Sequence, residues 1–287
     1  NIGLDLFFIV VLGTGVEGAA WATVISQLIS GIGCLIYSIK HFEILRPSRE
    51  EMQINKTYMM TLCGMGVPMG LQYSITAIGS VILQSAVNSL GSDAVAAMTA
   101  GSKIGMFFCC PFDALGSTMA TYGGQNVGAG KIKRVGRGLF DCSCLGVGYS
   151  IVAFLIILFL GRTISMLFVN DANAGSVEEI LALSQQFLVY NGAFYILLAF
   201  VNIVRFLIQG MGFSQIAIFS GVFEMIARGV VALAMVPTLG FNAVCFANPA
   251  AWLLADCFLF PLFFWSYNKL KKKFGMKDAE KEVVKEA

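Results

Sequence analysis

Residues 57–92 read TYMMTLCGMGVPMGLQYSITAIGSVILQSAVNSLGS, a run without a single Asp, Glu, Lys or Arg. A helix needs only about 20 apolar residues to cross a hydrocarbon layer about 30 Å thick. This run is longer than that, with Pro68 as a site for a kink. Working outward, the stretch between Asp141 and Arg162 is equally free of charge. Hydrophobic residues make up 57% of the chain and charged residues 13%, against roughly 25% charged in an ordinary globular domain. Mean hydropathy is +0.78. The expected fold class is an all-α polytopic membrane protein.

Eight apolar segments can be placed, at about 1–12, 15–39, 57–88, 93–122, 139–161, 178–207, 214–238 and 243–267. Short turns rich in Gly, Asn and Asp separate several of them. Lys and Arg set the direction of threading, because loops that stay in the cytoplasm retain them. Lys40, Arg46, Arg49 and Lys56 follow the second segment, and Lys131, Lys133, Arg134 and Arg137 follow the fourth. Lys269, Lys271, Lys272, Lys273 and Lys277 follow the last. The alternate connections at 13–16, 89–92, 169–177 and 238–242 hold no Lys or Arg. A multi-pass protein of the inner (plasma) membrane with a cytoplasmic C-terminus is expected. The net charge of +2 is then a topology signal, and no nucleic-acid partner is expected. The chain opens on Asn1 inside an apolar run, which reads as entry partway along a helix.

Ionisable groups at membrane depth cost about 2.5–3.5 kcal/mol each even on insertion scales, so each needs a reason. Asn1 and Asp5 stand one helical turn apart and project from one face. Their hard oxygen donors suit Na⁺ or reversible protonation, and the alternative is local hydrogen bonding near a helix end. Glu224 and Arg228 are also four apart, in the order that favours an intrahelical salt bridge. Arg205 reads either as a snorkelling flank or as an intrabundle group. Lys103, deep in the fourth segment, is expected to face a polar cavity or an acidic partner. Gln72 joins Met69, Tyr73 and Gln84 as candidates for an adaptable cavity wall. Asp113 is expected near the inner interface, and Asp256 has no evident partner.

Enzyme chemistry finds little support. The one histidine, His41, falls in a polar connection, so His-based triads and metalloprotease motifs lack parts. The eight cysteines are scattered, mostly in apolar segments, and no cofactor is expected. Residues 123–132, GGQNVGAGKI, are glycine-rich but lack the Gly-Lys-Ser/Thr of a phosphate loop. Without a nucleotide site, transport would have to draw on an ion gradient.

The same stretch, Gly124-Gln125-Asn126-Val127-Gly128-Ala129-Gly130-Lys131 followed by Arg134, resembles a connection in the multidrug and toxic compound extrusion (MATE) transporters. So do Asn1-Ile2-Gly3-Leu4-Asp5, Gly18–Gln27, Gly66-Val67-Pro68, Ala96-Ala97, and Arg205–Gly212 leading to Glu224 and Arg228. The resemblance implies a transporter of two six-helix lobes, of which this chain supplies helices five to twelve. Residues 1–39 would be the last two helices of the N-lobe and 40–56 the cytoplasmic inter-lobe linker. Residues 57–268 would form the C-lobe and 269–287 a charged cytoplasmic tail. It also implies that Asn1, Asp5 and Thr23 fall on an N-lobe cation site, with H⁺ or Na⁺ as coupling ion. The activity implied is antiport of small amphipathic, often cationic, organic compounds by a monomer among membrane lipids. A related flippase for lipid-linked saccharides and an inactive remnant of a truncated gene are the alternatives.

Overall fold

The computed structural model describes residues 1–43, 46, 55–168 and 177–274. Among them every regular element is helical. They form two compact units, Asn1–Met59 and Met60 onward.

In the first unit, α1 (Ile2–Leu6) runs into a π-helical turn, Phe7–Val11. It packs on α2 (Gly15–His41) through a turn where Gly13 and Gly15 both have positive φ. That conformation costs a side chain dearly and glycine nothing. Arg46 closes the far end of α2, its Nε donating to the Ile39 carbonyl at 2.8 Å and its Nη2 to that of Lys40 at 3.2 Å. These are carbonyls that a helix end otherwise leaves unpaired.

The second unit holds most of α3 (Lys56–Asn88), then α4 (Ser92–Gly128), α5 (Ile132–Met166), α6 (Val177–Ala193) and α7 (Tyr195–Gly210). It ends with α8 (Ser214–Val230), α9 (Val236–Leu239) and α10 (Phe241–Lys273). A π-helical turn, Val231–Met235, joins α8 to α9. Among the described residues of both units, α2 included, six helical spans are long and apolar enough to cross a membrane, or seven when α6 and α7 count as one span bent by 52°. Ile2–Val11 is a shorter apolar helix. The eight expected segments therefore correspond to helices in order, with the number of true crossings less sharply set.

The organising element is α7, buried along almost its whole length from Val201 to Gln209. A helix buried all round must be surrounded, and α4, α5, α8 and α10 surround this one, enclosing its polar Asn202, Arg205 and Gln209 as well. Phe112, Tyr195, Ile203, Val204, Leu207, Ile208 and Leu259 form its packing core. The closest approach is glycine-dependent: a Cβ on Gly210 would lie 2.1 Å from the Ala120 carbonyl oxygen. Outward-facing Phe107, Phe159, Leu167 and Leu233 are 75–81% exposed, the pattern of surfaces that meet lipid.

Two expectations need correction. The glycine-rich stretch is not a loop. Helix α4 continues through Gly128, and only Ala129–Lys131 turn, with Gly130 at φ 69°. The cause is tertiary: at Gly123 and Gly124 the absent side chains make room for Leu207 and the Gly210 carbonyl of α7. Helix α5 accordingly starts at Ile132, so Lys133, Arg134 and Arg137 sit on its first turns instead of in a connection. Most of 44–54, the connection at 169–176 and the tail from Gly275 lie outside the described residues.

Candidate functional site: a buried ion cluster beside a polar cavity

Helical spacing assembles a polar stripe on three helices of the second unit. Helix α7 presents Arg205 and Gln209 four apart. Helix α8 presents Ser220, Glu224 and Arg228, and α10 presents Asn248, Trp252 and Asp256, each set spaced by fours. Residues so spaced share one face, and all eight are at least partly buried.

Glu224 is the hub, at 3% exposure. One carboxylate oxygen accepts from Arg205 Nη2, and the other accepts from Arg228 Nη1 at 3.3 Å. Arg205 Nε donates to Ser220 Oγ at 3.1 Å. Arg228 Nε donates to Asn248 Oδ1 at 3.2 Å, and Asn248 Nδ2 donates onward to Asn191 Oδ1 of α6 at 3.0 Å. The amides of Gln72 and Gln209 meet at 2.7 Å. With the Gln72 oxygen turned toward Arg205 it accepts from Nε at 3.0 Å and Nη1 at 3.2 Å. Asp256 is 4% exposed, neither carboxyl oxygen has a hydrogen-bond partner among the described residues, and its charged neighbours are Arg205 and Glu224. Two guanidiniums and two carboxyl groups thus share a buried cluster, where an uncompensated charge would be very costly.

A cavity of about 410 Å³ lies against this cluster. Glu224, Arg228, Asn191 and Asn248 line one part of it, and Asp113, which accepts from Asn202 Nδ2 at 3.2 Å, lines another. Met106, Phe187 and Trp252 give it an apolar wall. Lys103, with an exposed side chain, lines a separate cleft of about 600 Å³ with Asn88, Ser92 and Thr99. Among the described residues it has no acidic partner.

In the first unit, Asn1 is exposed and Asp5 half-buried, one helical turn apart, with the Asp5 amide donating to the Asn1 carbonyl at 2.9 Å. Thr23 Oγ1 is turned onto its own helix and donates to the Ala19 carbonyl at 3.0 Å. No group of three or more His, Cys, Asp or Glu suited to a metal occurs among the described residues.

The i, i+4 spacing of Glu224 and Arg228 is legible in sequence, and the structure joins them. Arg205 is no snorkelling flank: at 8% exposure it is buried and ion-paired. The reason is that α7 is central, so its interior leads to other helices and to no interface. Asp256 belongs to the same cluster, and its only signal in the sequence was its place eight residues after Asn248.

The MatE family model matches residues 68–234, more than half of the chain and most of the unit that carries this cluster. The chain belongs to the MatE family. Among curated MatE-like relatives, the probable multidrug resistance protein YpnP of Bacillus subtilis (strain 168) is 29% identical over 216 residues, covering 74% of this chain and 45% of that protein. The probable multidrug resistance protein YoeA of the same strain is 25% identical over 143 residues, 47% of this chain and 31% of that one. The chain thus spans less than half the length of these relatives. In fold it is similar to a multidrug resistance MATE family transporter of the MOP superfamily solved in an outward-facing conformation. The TM-score is 0.85 at 20% identity, over 94% of this chain and 60% of that one. It is also similar to a MOP superfamily transporter from Pyrococcus furiosus for which a binding pocket of reversed polarity suggests a different function. There the TM-score is 0.83 at 19% identity, over 94% and 60%. This MatE chain is therefore an integral membrane protein whose described residues share the all-helical fold of those structures.

Proposed function

We propose that the protein carrying this chain is a secondary antiporter that exports small amphipathic, often cationic, organic compounds in exchange for H⁺ or Na⁺. It would work as a monomer, without enzymatic chemistry or a cofactor, in the inner (plasma) membrane with its C-terminus in the cytoplasm. The observation that carries this reading is the cavity beside Glu224 and Arg228. It combines an apolar wall of Met106, Phe187 and Trp252 with the carboxylate of Asp113, while Glu224 and Arg228 line it as a mutually paired couple, a surface suited to an amphipathic cation. Broad selectivity suits such a wall, because methionine and aromatic side chains adapt to differently shaped guests.

The coupling ion is assigned by the family resemblance to Asn1, Asp5 and Thr23 of the N-lobe. Antiport requires that ion and substrate each lower the other's affinity, and linkage makes the effect reciprocal. Residues 1–39 and 57–268 then serve as parts of two lobes joined by 40–56. A saccharide flippase is less well supported, since Arg205 and Arg228 are both engaged by Glu224, which leaves a pyrophosphate group few cations to meet.

The test is export of a fluorescent organic cation from vesicles containing the whole protein, with pH and Na⁺ gradients imposed one at a time. Uphill export driven by one of the two supports the proposal. No export under either gradient overturns it.

A further inference from the structure

A third cavity, larger than the two already described, is lined by other residues than the ion cluster. It is a groove of about 880 Å³ between α5 and α10, with Phe200 of α7 also lining it. Helix α5 contributes small groups to it, including Gly136, Ser143, Cys144 and Gly148, and α10 contributes Phe260, Phe263, Phe264 and Tyr267. A Cβ on Gly148 would meet nothing within 4 Å, and one on Gly136 would first meet the Tyr267 hydroxyl at 3.4 Å. From Gly136 to Ile151 the groove follows α5 for about 22 Å at the helical rise of about 1.5 Å per residue. That exceeds the half-thickness of the hydrocarbon layer, about 15 Å.

The two ends differ. Ile151 and Phe260 make one end wholly apolar. At the other, Tyr267 and Asn268 are joined by cations. Lys271 Nζ stands 5.9 Å from the centre of the Tyr267 ring, Lys272 follows Asn268 by one turn, and exposed Arg137 is next to Gly136. Among the described residues the acid nearest Arg137 in the helix is Asp141, at 4.0 Å in a pair exposed to 87% and 64%. Such a pair is weak and leaves Arg137 able to take another anion. An apolar trough one leaflet deep with a net positive mouth is shaped for a lipid that carries a negative headgroup.

We propose that this groove is a binding site for an anionic phospholipid. One acyl chain lies along α5 in the space left by Gly136, Ser143 and Gly148, and the headgroup phosphate meets Arg137 and Lys271. The preference for negative lipid comes from the mouth, and the affinity for any lipid from the trough.

The test uses the whole protein, delipidated in detergent and titrated with dioleoylphosphatidylglycerol or dioleoylphosphatidylcholine under native mass spectrometry. The expected result is an adduct with the anionic lipid at roughly tenfold lower concentration, given the attraction of basic residues near a membrane surface. Gly148→Leu, or Cys144→Trp should that variant fold poorly, fills the trough and should weaken both adducts at least tenfold. Arg137→Gln combined with Lys271→Gln should keep the phosphatidylcholine adduct and abolish the preference. Equal binding of the two lipids by the unaltered protein, or adducts that survive filling of the trough unchanged, would overturn the assignment.

Discussion

Each oxygen of the Glu224 carboxylate holds a different guanidinium, Arg205 on α7 and Arg228 one turn along α8, so its loss leaves two buried cations facing each other. The three members should not be equivalent. Glu224→Gln should destabilise the whole protein by about 3–5 kcal/mol, the range for stranding a buried charge. Arg228→Gln should cost about 1–3 kcal/mol, because Glu224 keeps Arg205 and only the bonds to Glu224 and Asn248 are lost. Thermal unfolding in detergent checks the order, and equal losses in the two variants would contradict Glu224 as the hub. Asp5 belongs to a different question, that of coupling. Asp5→Asn should abolish uphill export while expression and thermal stability stay within the range of neutral variants. Undiminished uphill transport in that variant would remove Asp5 from the coupling machinery. At this scale the sequence revealed pairs on one helix, such as Glu224 with Arg228, because helical spacing alone brings them together. It could not reveal Arg205 with Glu224, whose meeting depends on how α7 and α8 pack.

Helix boundaries followed the apolar runs where a glycine with positive φ stood at the end, as at Gly91 and Gly240, while charges such as Arg137, Arg162 and Lys269 ended no helix. They departed where packing overrode local signals. Helix α4 runs through Gly123 and Gly124 because these glycines admit α7, although glycine costs about 1 kcal/mol each in a helix interior. The α6–α7 span breaks by 52° at Phe194, where no proline stands but where Asn191-Gly192, a turn-forming pair inside an apolar run, is the local signal. The α4–α7 contact gives a direct test. Gly210→Ala places a methyl group against the Ala120 backbone, which cannot rotate away as a side chain can. A loss of about 1–3 kcal/mol is expected from such overpacking. Gly31→Ala, at a site with nothing within 4 Å, should show no loss. Similar thermal stabilities for the two variants would mean that α4 and α7 do not approach this closely.

For the whole molecule, the one-sided distribution of Lys and Arg predicts which surfaces face the cytoplasm. Single cysteines placed at 46–56, at Ala129 and in the tail beyond Lys273 should react with an impermeant thiol reagent only from the cytoplasmic side. One placed at Ser89–Ser92 should react only from outside. Labelling of Ala129→Cys from outside would invert the threading. At this scale the all-helical fold and the order of its apolar helices were the most legible feature, since hydropathy is a sum over many residues and survives local misreadings.

The partnership of Arg205 with Glu224 also bears on how the protein is made. The two side chains are 19 residues apart, so α7 emerges from the ribosome bearing a buried cation whose counter-charge is still being synthesised. Helix α8 brings both Glu224 and Arg228 and is close to self-neutralised, whereas α7 alone would expose Arg205 to lipid at a cost of about 2.5–3.5 kcal/mol. The two helices are therefore expected to leave the translocon together as a hairpin folded at Met211–Phe213. A glycosylation-mapping assay should find α7 poorly inserted from a chain that stops at Phe213, and efficiently inserted once α8 is present. Replacing Glu224 with Gln in the longer chain should reverse that gain, making membrane entry of one helix depend on a carboxylate carried by the next.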